Sequence, residues 1–182
     1  MKWAKCNVGA EKETDAGLYF AWGETTGYTA SQVGTDKQFS WSDYKYGNSS
    51  SNLTKYNQSD GKTVLESADD AASQVMGSDW RMPTDAEFQE LIDKTTKKWT
   101  QVNGVNGYKF TSKINGNSIF IPAAGGCGNG SVLNVGSIGD VWSSSLDALG
   151  PNGAWSLGFN SGLCGMSNGY RCIGRSVRGV RK

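Results

Sequence analysis

Apolar and polar positions are patterned in two regular ways along the chain, and several stretches follow neither. Val64, Ala68, Ala71, Ala72 and Val75 recur at helical spacing, which predicts a helix over 64–76 with one buried face and Gly77 as its stop. Asp69 and Asp70 are neighbours on that helix, and adjacent helical positions do not face each other, so both are expected on its solvated side. A second helix opens at Thr84, where the T-x-x-E spacing of Thr84 and Glu87 forms a capping box and Pro83 closes the strand before it. Phe88, Leu91, Ile92 and Thr95 then supply its inward stripe, with Trp80 expected in the core and Arg81 in a structural ion pair.

Period-2 patterning appears at Tyr108–Ser112 and Asn117–Pro122, joined across Asn115-Gly116, which predicts a β-hairpin. The aromatic-rich runs Trp3–Asn7 and Gly17–Trp22 read as strands bounded by turn residues. Arg175–Lys182 reads as a last strand, with Gly179 marking a bulge.

Three stretches lack both periods. Gly23–Gly61 is polar and long, and Phe39, Trp41, Tyr44 and Tyr46 are expected to pin it to the body. Ala123–Gly130 is glycine-rich but has no Gly-Lys-Ser/Thr ending and opens no helix, so a flexible connection is expected rather than a phosphate loop. Val141–Gly174 contains only Asp147 and Arg171 as charged residues, with Trp142, Trp155, Phe159 and Tyr170 spaced among Gly, Ser, Ala, Leu, Asn and Cys. Disordered linkers lack such aromatics, so this tract reads as short strands carrying loops, the usual seat of recognition.

Composition narrows the function classes. The 182 residues suit one domain, and a net charge of +1 offers no electrostatic case for nucleic acid or an anionic membrane. No apolar run approaches a membrane span, and Met1-Lys2-Trp3 leads directly into patterned sequence, so neither membrane insertion nor a signal peptide is expected in this segment. The chain has no His, which removes His-dependent triads, HExxH sites and His-ligated metals. Its four cysteines, Cys6, Cys127, Cys164 and Cys172, form no CxxC pair, so no zinc ribbon is expected, and disulfides are permitted rather than required.

The phrases WAKCNVGA, YFAWGET, WRMPTDAEFQELI, NGYKFTSKINGNSIFIPAAG, VWSSS and GRSVRGVR occur in an order that resembles a bacterial C-type-lectin-like domain group. That group overlaps the variable proteins of diversity-generating retroelements. WRMPTDAEF also resembles a segment of the formylglycine-generating enzymes and their non-enzymatic relatives, which share the fold. The resemblance covers essentially the whole chain and implies an α+β, C-type-lectin-like domain over 1–182. Such a domain has two helices packed on short antiparallel sheets with long loops, and its variable region here falls at about 140–174.

In those systems errors at template adenines rewrite the end of the gene, and an AAC codon so changed cannot give Lys, Glu, Gln, Met or Trp. Laid on the family pattern, the scaffold is Trp142, Ser143, Ser144, Ser145, Ala154, Trp155, Leu157, Phe159, Arg171, Gly174, Ser176 and Val177. The resemblance then makes ligand-binding candidates of Val141, Ala148, Leu149, Gly153, Ser156, Gly158, Gly162, Leu163, Cys164, Gly165, Ser167, Gly169, Tyr170, Cys172 and Ile173. Strand alternation puts Trp155, Leu157 and Phe159 on a buried face and Ser156 and Gly158 on the opposite one. Arg171 is placed likewise opposite Tyr170 and Cys172. Gly162–Gly169 is expected to arch over the patch as a loop anchored by Met166.

Three functions follow from this resemblance. The first is a non-enzymatic display module at a cell surface or on a phage virion, such as a tail fibre, that binds protein or glycan ligands. The second is an invariant structural surface domain. The third is a cysteine oxidase of the formylglycine-generating type, for which Cys164 and Cys172 are the available pair. No cofactor is expected. No E-P-N, Q-P-D or W-N-D triplet is present, so calcium-dependent sugar binding is not expected either.

Overall fold

A computed structural model describes residues 1–181 as a mixed α/β structure of small antiparallel sheets and few helices. The elements in order are β1 (Lys2–Trp3), β2 (Gly47–Ser49), β3 (Asn52–Leu53), α1 (Ala71–Met76), α2 (Asp85–Lys94), β4 (Thr95–Val102), β5 (Val105–Ser112) and β6 (Ser118–Pro122). They continue with β7 (Gly126–Gly128), β8 (Ser131–Leu133), β9 (Ile138–Leu146), β10 (Gly153–Asn160), β11 (Cys164–Tyr170) and β12 (Val180–Arg181). Two three-stranded sheets, β4-β5-β6 and β11-β10-β9, carry most of the structure, and β1 pairs with β12 near the chain ends.

The capping box forms as the sequence predicts: the Thr84 hydroxyl accepts from the Glu87 amide, and the Glu87 carboxylate accepts from the Thr84 amide. Glu87 also receives both Arg81 guanidinium nitrogens, at 2.7 and 2.6 Å, which supplies the expected structural ion pair. Phe88, Leu91 and Ile92 are buried by the inward face of α2, a contribution of roughly 1.5–3 kcal/mol per side chain. The hairpin is also present, with β5 starting at Val105 and β4 added on its far side.

The first helix is shorter than its periodicity predicts. The Asp70 carboxylate accepts from the Ser73 amide and starts α1 at Ala71, so the preceding residues form a single tight turn, Ser67–Asp69. Val64 and Val75 are exposed as a result. Asp69 and Asp70 are buried rather than solvated. Asp69 accepts from the Tyr46 and Tyr56 hydroxyls and from Lys55 and Lys45, while Asp70 also accepts from the Met82 amide. Trp80 is only half-buried, with the Arg181 guanidinium over its ring.

The stretch 23–61 is a long ordered excursion pinned by its aromatics: Phe39, Tyr44 and Tyr46 are buried as expected, Trp41 is only half-buried, and Tyr56, not expected there, is fully buried. Tyr56 sits at φ +55°, a left-handed conformation costly for a bulky residue, and its amide, carbonyl and hydroxyl are held by Asp60, Arg171 and Asp69. Ala123–Gly130 is not a flexible connection. Ala123, Ala124 and Cys127 are buried, and β7 pairs with β8. The predicted strands at 3–7 and 17–22 survive as short pairings and isolated bridges, Tyr19 to Tyr28 and Phe20 to Arg175. Of the expected last strand only β12 is regular, and Lys182 lies outside the described residues.

Two apolar clusters meet at the β11-β10-β9 sheet. One takes Trp22, Tyr44, Tyr56, Trp142, Leu146 and Ala154, and the other takes Phe88, Leu91, Tyr108, Val141, Leu157 and Phe159. Trp142 donates its indole N–H to the Phe20 carbonyl and Trp22 donates its own to the Ser143 carbonyl, so two distant segments are locked together at the core. No helix among the described residues is long and apolar enough to cross a membrane.

Candidate recognition surface on the three-stranded sheet

Register fixes which side chains share a face of this sheet. Gly158 lies opposite Asp140 on one side and Gly165 on the other, Ser156 lies opposite Trp142 and Ser167, and Ala154 lies opposite Gly169. These residues therefore form one face, with Trp155, Leu157, Phe159, Val141, Met166 and Cys164 on the other. Leu157 and Phe159 are buried against the second cluster as predicted, and Met166 anchors there too. Trp155 is only half-buried, because α2 leaves a gap of about 280 Å³ beside it. The other scaffold residues, Trp142, Ser143–Ser145, Ala154, Arg171, Gly174, Ser176 and Val177, are all buried.

Arg175 builds the floor of the open face. Its guanidinium stacks 4.3 Å from the Trp142 ring, donates to the Ser156 hydroxyl and stands 3.6 Å from the Asp140 carboxylate. Burial pushes the Asp140 carboxyl above its usual range, and the attraction of Arg175 only partly offsets this. Around this floor the surface is small and polar. Gly158 and Ser167 are in contact range, Gly165 has open space above it, and a shallow groove of about 420 Å³ runs past Ile138, Asp140, Asn160 and Ser167. Ile173 lies beside Gly169 and Gly128, and the exposed Tyr170 ring packs edge-on to Trp41 at 6.1 Å.

The fifteen candidate residues thus separate into groups. Gly158, Gly165, Ser167 and Gly169 share the open face, bordered by Ile173 and Tyr170. Gly162 and Leu163 are exposed in the β10–β11 turn, and Ala148 and Leu149 in the β9–β10 turn at the opposite end. Five depart from the expected display. Ser156 faces the predicted side but is fully buried, because the long Arg175 side chain covers it. Val141 and Gly153 are buried on the packed side, Cys164 is half-buried there, and Cys172 is buried in the first cluster. The predicted arch at Gly162–Gly169 is instead strand β11 beyond a short turn at 161–163, with Cys164 and Met166 facing inward and Gly165, Ser167 and Gly169 outward.

Cys164 and Cys172 belong to different clusters, and all four thiols are free. Burial pushes Cys164 and Cys172 up to about 11 and Cys127 up to about 12. Such thiols are poor nucleophiles near neutral pH, since reactivity follows the thiolate.

Arg171 is buried and Tyr170 exposed, as expected. Cys172, expected on the Tyr170 side, is buried too, because the strand ends at Tyr170 and residues 171–172 form a turn in which alternation no longer holds. The Arg171 Nε donates to the Tyr44 hydroxyl, and its Nη atoms donate to the carbonyls of Tyr56, Pro151 and Lys55 at 2.9 Å. Arg178 is equally buried and donates to Asn7, Ala4, Lys5 and Phe120. Sequence reasoning missed the shared role of Arg171, Arg175 and Arg178 as interior ties. Their spacing among small and β-branched residues is the signal that carried it.

A larger groove, about 670 Å³, lies between the chain ends and α1, but the charged groups at its centre are already committed, and Lys2 and Asp79 are exposed at its rim. Arg81 binds Glu87, Asp70 caps α1, and Arg181 stacks on Trp80. Among the described residues, no group of three or more His, Cys, Asp or Glu side chains converges to hold a metal ion. Comparison of the chain with protein-family models, curated proteins and solved structures finds no match.

Proposed function

We propose that this chain is a ligand-recognition domain of the C-type-lectin-like kind, of the type diversified by retroelements, and that it recognises through the open face of β9, β10 and β11. The observation that carries this reading is the division of labour across one sheet. Leu157, Phe159 and Met166 are consumed by packing on one side, while Gly158, Gly165, Ser167 and Gly169 leave the other side low and accessible over a fixed Arg175 floor. Small residues on a rigid element let a ligand approach closely, and the Tyr170–Trp41 edge offers aromatic contact at one border. Recognition works by shape and contact with a protein or glycan surface, without bond-making. In keeping with the resemblance, the domain is placed at a cell surface or on a virion.

The test is a binding screen on glycan and surface-protein arrays with three proteins: wild type, Gly165→Arg and Ile114→Ser. Gly165 has open space above it on the proposed face, and Ile114 is exposed in the β5–β6 turn. Signals abolished by Gly165→Arg and kept by Ile114→Ser support the reading. The reverse pattern sinks it.

A further inference from the structure

The free edge of β11 carries an inference that is independent of what the open face binds. The amide of Asn160 donates to Leu163 at 2.9 Å, and the amide of Arg171 donates to Asn152 at 3.0 Å. Hydrogen-bonded pairs alternate along an antiparallel ladder, so between these two ends they are 158/165, 156/167 and 154/169. The backbone groups of Cys164, Met166, Asn168 and Tyr170 therefore point away from β10. β11 is the outer strand of its sheet, and among the described residues none of those four amides, nor the carbonyls of Cys164 and Met166, has a protein partner.

Two other sheet edges are protected. The far side of β9 is covered by bridges from Val64, Gly125 and Ser176, and the outer strand β4 carries Lys97 and Lys98. Lysine on an edge is a common device against strand addition. β11 reads Cys-Gly-Met-Ser-Asn-Gly-Tyr, with no charge and no proline, and its register with β10 is unbroken.

We propose that β11 pairs antiparallel with β11 of a second copy, about a twofold axis through Ser167, to make a continuous six-stranded sheet. The free backbone groups are symmetric about Ser167: Cys164 meets Tyr170 and Met166 meets Asn168, each in a hydrogen-bonded pair. Gly165 meets Gly169, so no bulky side chain obstructs the open face at the seam. No like charges are brought together, because the strand has none. Pairing uses main-chain groups that do not change with side-chain identity, so uncharged side chains away from the axis, as at Gly165 where an added Cβ meets nothing, leave it in place. The dimer presents two open faces side by side, which raises the effective affinity for a repetitive ligand.

Sedimentation velocity across a micromolar to submillimolar range tests this. Wild type should dimerise with concentration. Ser167→Lys and Ser167→Glu should each raise the dimer Kd roughly tenfold or more, and their mixture should restore dimers by opposing the charges across the axis. Ser167 faces itself in a non-hydrogen-bonded pair with Cα atoms about 4.5 Å apart, inside disulfide range, so Ser167→Cys should cross-link to itself under mild oxidation. A wild type monomeric throughout, or a dimer indifferent to both charge variants, overturns the proposal. So does a monomer that takes up only a foreign extended peptide along β11.

Discussion

The guanidinium of Arg175 lies beneath Gly169, where a Cβ would stand 3.0 Å from Arg175 Cζ and closer still to Nη2. Glycine is required here for room, since its φ is not positive. Position 169 is therefore coupled through Arg175 to Ser156 and to the Trp142 ring. Gly165, two residues along the same face and four from Gly169, meets nothing within 4 Å of an added Cβ. Gly169→Val should lower stability by about 1–3 kcal/mol, as overpacking does, and Gly165→Val by no more than about 0.5 kcal/mol. Urea unfolding midpoints compare the two, and equal losses would contradict the arrangement of the floor.

Arg171 is the densest tie between the open-face strands and the long 23–61 excursion. Its removal strands the carbonyls of Lys55, Tyr56 and Pro151 and the hydroxyl of Tyr44. Arg171→Met should cost at least about 3 kcal/mol, because each buried acceptor left unpaired costs roughly 1–3 kcal/mol. Arg171→Lys should recover little, because an ammonium cannot reproduce the planar fork. Chemical denaturation of the two variants decides this.

Asp69 gives the fold an acid limit. Burial alone would raise its pKa, but hydrogen bonds from Lys55, Tyr46 and Tyr56 overcome that and hold it at about 2, below its ordinary 3.8. A depressed carboxylate stabilises above the unfolded value and loses that contribution as pH falls through the folded one. The stability gap between wild type and Asp69→Asn, on the order of 1–2 kcal/mol from this linkage, should be constant above pH 4 and close between about 4 and 2. A gap unchanged across that window would show that Asp69 is not held as a buried anion.

The thiols separate the recognition reading from a cysteine-oxidase reading. Cys127, Cys164 and Cys172 are raised by burial, whereas Cys6 is partly exposed near the Glu11 carbonyl. Iodoacetamide at pH 8 should alkylate native protein at Cys6 well before the other three, as read by peptide mass spectrometry. Fast labelling of Cys164 or Cys172 would restore the case for a reactive pair.

Legibility in the sequence followed locality. α2 was readable because Thr84, Glu87 and the Phe88–Leu91–Ile92 stripe lie within one continuous ten-residue helix and its cap, and the β5–β6 hairpin because Asn115-Gly116 sits between alternating runs. α1 was overread because Asp70 looks like a surface residue until its carboxylate is seen capping Ser73 and receiving Met82. β11 was missed because glycines and serines on its open face hide the alternation. The large residues Cys164 and Met166 at one parity were the available signal. The burial of Ser156 was beyond any local pattern, since it depends on where a long arginine from nineteen residues away comes to rest.

The proposed recognition surface on β9–β11 requires a scaffold that does not depend on the side chains at Leu163, Gly165, Ser167 and Tyr170. The most direct measurement is a displayed library diversified at Leu163, Gly165, Ser167 and Tyr170, sorted first for protease resistance and then for binding to several unrelated soluble proteins. A parallel library at Trp142, Leu157, Phe159 and Arg171 serves as the control. Most clones of the first library should remain folded and yield distinct binders for distinct targets, while the control should lose its fold, at a cost of about 3–5 kcal/mol for each buried aromatic truncated. A first library that unfolds as readily as the control, or that folds and yields no binder to any target, would contradict the account.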